Sequence, residues 1–489
     1  MESGASNTNT YTNTRRMDTS SKSLMKELKK ASMVAAPMIT VSILQYMVDV
    51  VALMMVGHLG ELPLASVAIA ISVTNVTGFS LFIGLCGGLD TLCGQAYGAK
   101  QHKQIGTYVY SAIISLLLIC IPIILLWIFM DKLLILLGQD PEISIEARKF
   151  SVWLIPGLVA AAIYNPMIRF LQCQSLVLPL LLNFGAGLGI TSLFAWISVY
   201  KLKFGIEAVA FSLSLCGCLN ILFLGLYIHF SAACEKTRVQ FSKQVFYNIW
   251  PFLRFGFPAA LMVCLKWWAF EIVTLLAGRL PNPQLETSVL SICLNISTLH
   301  FTIPLGLGIA VGIRVSNEIG AGNPYVAKLS AWVVTCTVVI EGLLASVILF
   351  GCRHIVGYAY SHVKEVVKYV STLVPFLCIS IITDGLQMVL SGIAKGSGWQ
   401  RLGAYVNLGA FYLVGIPVAI VLGFVYHMKA RGLWIGILVG SVLQSILLLV
   451  VAAQADWQKQ VNHLLFPICV KDLLFSAVNQ LKHLSLYAG

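Results

Sequence analysis

Charge is scarce in this sequence. Of its 489 residues only 11% are Asp, Glu, Lys or Arg, against about 25% in a water-soluble domain. That deficit excludes an ordinary soluble core with a solvated shell. Other absences bear on chemistry. There is no glycine-rich Walker loop, which argues against direct ATP drive by this chain. There is no Gly-x-Ser-x-Gly elbow and no histidine pair at metal spacing; His58, His102, His300 and His354 are scattered. No catalytic constellation, metal or cofactor is expected, and the chain is not read as an enzyme. The 13 cysteines show no disulfide or zinc spacing. Those in apolar runs, such as Cys86, Cys216 and Cys293, read as small buried side chains. The net charge of +12 is no nucleic-acid signature, because no basic cluster is interleaved with aromatics.

What is present is apolar length. Hydrophobic residues make up 58% of the chain. They group into about twelve runs of roughly 20–28 residues, each long enough to cross a ~30 Å hydrocarbon core as a helix. Six runs lie at about 33–56, 62–92, 105–130, 145–171, 176–199 and 206–230. Six more begin near 252, 286, 327, 366, 402 and 433, and the last ends near 451. The expectation is an all-α polytopic membrane protein with twelve transmembrane helices. It divides into a disordered tail at 1–24, an N-lobe at 25–232, a polar linker at 233–248, a C-lobe at 249–455 and a tail at 456–489.

The first 21 residues are rich in Ser, Thr and Asn and lack an apolar h-region, so they read as a tail and not a signal peptide. In the last segment Val470, Leu473, Leu474, Ala477, Val478, Leu481 and Leu484 recur at helical spacing. That pattern suits an amphipathic helix on a membrane surface, or one packed on the body. The basic residues at 22–30, Lys100, Lys103, the linker cations, Arg314, Lys328, Lys395 and Arg401 share one side of a twelve-span arrangement. The opposite loops carry acids but also Lys201, Lys203, Arg353 and Arg431. The balance favours both termini in the cytoplasm.

The two halves repeat. Gly84, Gly98 and Ala99 align with Gly306, Gly320 and Ala321 at an offset of 222 positions. Pro37 and Gly57 align with Pro258 and Gly278 at 221, and Pro156 and Asn165 align with Pro375 and Asp384 at 219. One drifting offset over several ordered blocks indicates duplication. Six spans per half is an even number, so both halves share one topology, as parallel repeats around a central cavity. Substrates of such transporters bind at the repeat interface near the midplane.

Four ionisable residues fall at membrane depth: Asp49, Lys266, Glu271 and Asp384. A charge there costs roughly 2.5–3.5 kcal/mol on insertion scales. Glu271 and Asp384 read either as buried partners fixing two helices or as protonatable coupling sites, with H⁺ as the coupling ion. Asp49 is a third, weaker candidate. Lys266 precedes Glu271 by five residues, about 140° around the helix and ~7.5 Å along it. It reads as a structural partner of Asp49 or Glu271, or as an anion-attracting group in the substrate path. Trp267 and Trp268 offer π-faces to planar or cationic ligands. Gln45, Tyr46, Asn165, Asn295, Thr298 and Tyr405 are further polar groups for a substrate cavity, although hydrogen bonding between helices is the commoner use of such residues.

Several stretches then carry a family resemblance. These are Gly94-Gln-Ala-Tyr-Gly-Ala99, Leu280-Pro-Asn-Pro-Gln-Leu-Glu-Thr-Ser, Arg314-Val-Ser-Asn-Glu-Ile-Gly-Ala-Gly-Asn-Pro324 and Lys395-Gly-Ser-Gly-Trp-Gln400. From about residue 26 to 456 the chain resembles a plant-type member of the multidrug and toxic compound extrusion (MATE) family. The resemblance implies two six-helix lobes and proton-coupled antiport of organic compounds such as xenobiotics, alkaloids or flavonoids. It implies coupling carboxylates at Glu271 and Asp384, and a further acid at Asp49. A monomer in the vacuolar or plasma membrane is expected, with small organic solutes, protons and lipid as its partners. Lys266 departs from the family's Glu-Trp-Trp pattern, which reverses one charge. An organic-anion conduit or a lipid-type flippase are the alternatives.

Overall fold

The computed structural model describes residues 5–201 and 204–462, with side chains from residue 23 onward except at 283. The described residues form no strand. Twelve helices are long and apolar enough to cross a membrane: α1 Ser23–Gly57, α2 Glu61–Gly98, α3 His102–Ile128, α4 Pro141–Cys173, α5 Leu178–Lys201, α6 Ile206–Phe230, α7 Gln244–Ala277, α8 Gln284–Gly320, α9 Pro324–Gly351, α10 Lys364–Ser397, α11 Gln400–Val425 and α12 Ala430–Gln454. The expected tail at 1–24 lies almost wholly outside the described side chains. The expected amphipathic helix at 470–484 lies outside the described residues. The segment before it packs on the body, where Trp457 meets Trp399 with ring centroids 5.4 Å apart.

Helix starts and bends follow local chemistry. Asp140 caps α4, its carboxylate accepting from the Glu142 and Ile143 amides, and Pro141 occupies the first helical position. Pro37, Pro258, Pro304 and Pro375 lie inside their helices, where each removes one backbone donor. A π-turn over Asn75–Phe79 interrupts α2 at mid-span. Such turns shift the hydrogen-bond ladder by one residue and are frequent at functional sites.

The repeat is visible as paired contacts. A methyl built on Gly98 would stand 2.0 Å from the Asn317 carbonyl oxygen, and one built on Gly320 would stand 2.2 Å from the Gln95 carbonyl oxygen. Gly98 and Gly320 are repeat equivalents, and so are Gln95 and Asn317, so the contact is reciprocal. A second pair behaves alike. Gly84 meets Ala260 and Gly306 meets Ile39, each backbone within 2.5 Å of the added methyl. Ile39 and Ala260 each follow their repeat proline by two residues. Gly94 packs directly on the Ser316 side chain, its own equivalent, which puts the pseudo-twofold axis between them. Small residues of this kind let helices approach closely where lipid offers no hydrophobic drive.

The Gly98 and Gly320 crossing lies at one end of the spans, called here the collar end, and the Gly84 and Gly306 contacts lie about 21 Å deeper along their helices. The halves are closed at the collar end. Thr91 on α2 donates to the Lys395 carbonyl, and Gln95 Nε2 donates to the Gly396 carbonyl at 3.3 Å. Asp90 on α2 lies 3.3 Å from Arg169 on α4 and 3.8 Å from Lys395 on α10. Beside this triad the halves enclose a space of about 10 Å³, room for about one water.

The Gly98 crossing gives a stability prediction. Gly98→Ala places a methyl against the Asn317 and Ala321 backbone and lowers stability by about 1–3 kcal/mol. Gly57→Ala, at a site with nothing within 4 Å, leaves it nearly unchanged. Thermal unfolding of the detergent-purified chain reads both, and equal melting temperatures for the two variants would contradict the reciprocal contact.

Candidate functional site

The segment with Lys266 and Glu271 lies on α7, beyond its Pro258 bend. The 140° between the two residues sends them to different neighbours. The Lys266 ammonium lies 3.2 Å from Asp384 Oδ1 on α10 and donates to Gln387 one turn on. Ser441 on α12 donates to the same Asp384 oxygen at 3.3 Å. Lys266 and Asp384 are 12% and 16% exposed, so the pair is largely shielded from solvent. The ammonium also lies 5.1 Å from the Phe301 ring centroid and 5.9 Å from that of Phe270. An aromatic face attracts a cation, and more so when both are desolvated.

Glu271 faces the other half of the molecule. Its Oε2 accepts from the Ser72 hydroxyl of α2 at 2.9 Å. Trp268 is three residues earlier, on the same helix face. Its indole Nε1 donates to the Val76 carbonyl at 3.3 Å. Val76 lies in the π-turn of α2, and Ser80 Oγ also donates to its carbonyl, at 3.3 Å. Glu271 and Trp268 thus bridge α7 to α2, while Lys266 binds within its own half. Among the described residues no cation lies within 4 Å of Glu271 or Asp49.

Several expectations change. Lys266 is paired neither with Asp49 nor with Glu271: both lie on other faces, and Asp384 takes the ammonium. Trp267 is 48% exposed, because one residue's rotation from Trp268 turns it outward from the helix contacts. Tyr405 is 72% exposed and points away from the face of α11 on which Gly403, Ala404 and Asn407 are buried. Asn295 is exposed, and its amide donates back to the Ser291 carbonyl at 2.9 Å; the Thr298 hydroxyl donates to the Leu294 carbonyl at 2.8 Å. Those donors are consumed within α8. Gln45 and Asp49 are exposed on α1, and Tyr46 and Asn165 are half-buried.

Other participants are hard to see in the sequence. Ser72, Gln387 and Ser441 are neutral and carry no signal of depth; only the position of Gln387, three after Asp384, marks it as a face neighbour. The Asp90, Arg169 and Lys395 triad joins three helices, and only Lys395 figures in the sequence pattern, as one of the cations on one side. His300 and Glu341 form a further pair at 2.9 Å between α8 and α9.

The MatE family model matches residues 37–197 and 258–421. Its two blocks open on Pro37 and Pro258, the equivalents found in the repeat. Protein DETOXIFICATION 1 of Arabidopsis thaliana is 49% identical over 437 residues, spanning 89% of this chain and 92% of that protein. Protein DETOXIFICATION 3 of the same plant is 50% identical over 434 residues, spanning 89% and 91%. The crystal structure of the eukaryotic MATE transporter AtDTX14 superimposes with a TM-score of 0.87 at 46% identity, covering 90% of this chain and 99% of that one. A family match over both repeats, near-half identity to plant relatives and a shared twelve-helix fold agree: the chain belongs to the MATE family of transporters.

Proposed function

We propose that this transporter is a proton-coupled antiporter of organic compounds such as xenobiotics, alkaloids or flavonoids, with Glu271 as its principal proton-exchange site. The observation that carries the reading is the contrast between the two C-lobe carboxylates. Asp384 is engaged by an ammonium and a serine hydroxyl, and protonating it would leave Lys266 uncompensated. Glu271 has a single hydroxyl partner, and that partner belongs to the other half. Protonation of Glu271 removes the charge from its bond to Ser72. A hydrogen bond to a charged group is worth about 1.5–3 kcal/mol, so the step weakens a link between α2 and α7.

In this reading a proton arriving from the far end, opposite the collar, loosens the α2–α7 bridge and frees substrate outward. The collar-end crossing then opens, and Glu271 gives up its proton on the cytoplasmic side. Asp49 serves as a second acid, on the first half. The protein acts as a monomer in the vacuolar or plasma membrane, with both termini in the cytoplasm and no cofactor besides the coupling ion. The anion-conduit alternative has Lys266 attracting the anion; Asp384 at 3.2 Å competes for that ammonium, which favours the antiport reading.

Two outcomes follow. In proteoliposomes with an imposed pH gradient, Glu271→Gln lowers gradient-driven uptake about tenfold or more, and wild-type coupled uptake in this variant would sink the assignment. Lys266→Glu removes the cation that neutralises Asp384 and adds an anion beside it. Relative uptake of a cationic over an anionic solute then rises about tenfold, equivalent to about 1.4 kcal/mol. An unchanged ratio would leave Lys266 with a structural role alone.

A further inference from the structure

At the far end of the second half the structure holds a pocket of about 480 Å³, within the ~300–1,000 Å³ of small-molecule sites. Three segments meet there: the first turn of α8, the first turns of α10, and the α11–α12 turn. Its floor is Glu286, fully buried. Glu286 Oε2 accepts from the Tyr369 hydroxyl at 2.9 Å and from the Ala430 amide at 3.0 Å. Glu286 Oε1 has no hydrogen-bond donor and lies 3.8 Å from the Lys429 ammonium. Ala430 is thereby fixed, and with it the preceding turn, in which His427 and Lys429 hold left-handed φ values of 53° and 56°.

The wall above this floor is cationic. The Arg431 guanidinium donates to Thr372 Oγ1 at 2.9 Å and lies 5.4 Å from the Tyr369 ring centroid. Those two contacts hold the plane and use one of its five donors. Among the described residues no carboxylate lies within 4 Å of Arg431 or Lys368. The lining holds three fixed cations, Lys368, Lys429 and Arg431, against two carboxylates, Glu286 and the exposed Glu365; His427 adds charge when protonated. One monoanion would balance the fixed charges.

We propose that this pocket binds a single oxyanion group, phosphate or carboxylate, on the open edge of the Arg431 fork with Lys368 and Lys429 closing around it. A planar fork held in place by its neighbours suits bidentate recognition of such a group. The oxyanion reaches the pocket from the aqueous phase or as a lipid headgroup, since helix ends of membrane spans lie at headgroup level. The site stands apart from Glu271 and Asp384 and does not depend on the transport mechanism.

The test uses the full chain in phosphatidylcholine nanodiscs at low ionic strength, where charge contacts are least screened. Radiolabelled inorganic phosphate binds at one saturable site in the wild type. Binding weakens about tenfold or more in Arg431→Gln and in Lys368→Gln, and is unchanged in Arg353→Gln, a cation outside the pocket. Lys368 is exposed and unpaired, so its variant keeps the fold even if Arg431→Gln does not. In a second arm phosphatidic acid is mixed into the discs. Its enrichment around wild type but not Lys368→Gln, with loss of phosphate binding, identifies the headgroup as the occupant. Phosphate binding that survives phosphatidic acid identifies the aqueous anion. Absence of both saturable phosphate binding and lipid enrichment in the wild type, or equal binding in wild type and Lys368→Gln, overturns the proposal.

Discussion

At membrane depth a lone charge costs several kcal/mol, and the fold answers that cost pair by pair. Lys266 meets Asp384, and Arg169 and Lys395 meet Asp90; at the collar end Arg314 meets Glu27 and Glu318. Each pair joins different helices or braces one helix end, so pairing also sets which helices lie together. Among the described residues Glu271 and Asp49 have no cation within 4 Å. Function is assigned to what pairing does not absorb. A charge whose removal would strand its partner is held in place, whereas one with a hydroxyl partner is freer to change.

The second constraint is close approach. From the collar end to mid-span the two halves meet backbone to backbone across Gly98, Gly320, Gly84 and Gly306. Because these positions are repeat equivalents, one packing solution is used twice about a pseudo-twofold axis. The axis runs beside Gly94 and Ser316, and the Asp90 triad lies against it on one side only. Symmetry sets the closure, and the triad distinguishes the two halves. The carboxylate-bearing bridge from Glu271 and Trp268 to α2 is likewise found on one side. Chemistry is concentrated where the copies have diverged.

Much of this was legible in the sequence. Scarce charge and apolar length gave twelve helices, and the drifting offset gave the repeat that the glycine contacts then display. Glu271 and Asp384 were visible as charges at depth. Their partners were not. Helical rotation separates Lys266 from Glu271, but rotation alone does not tell which helix stands opposite, so Asp384 could not be chosen over Asp49. Neutral residues such as Ser72 and Ser441 look like any serine in an apolar span. Tyr405 and Trp267 draw attention as a polar and an aromatic residue at depth, and both lie exposed, off the buried contacts of their helices. The π-turn that contains Val76 left no mark in composition or periodicity.

The central claim is that Glu271, and not Asp384, takes up the exchangeable proton. Infrared difference spectra of the purified protein between alkaline and acidic pH test it directly. The account predicts a carbonyl stretch of a newly protonated buried carboxyl that vanishes in Glu271→Gln and persists in Asp384→Asn. A band that persists in Glu271→Gln and vanishes in Asp384→Asn would contradict it.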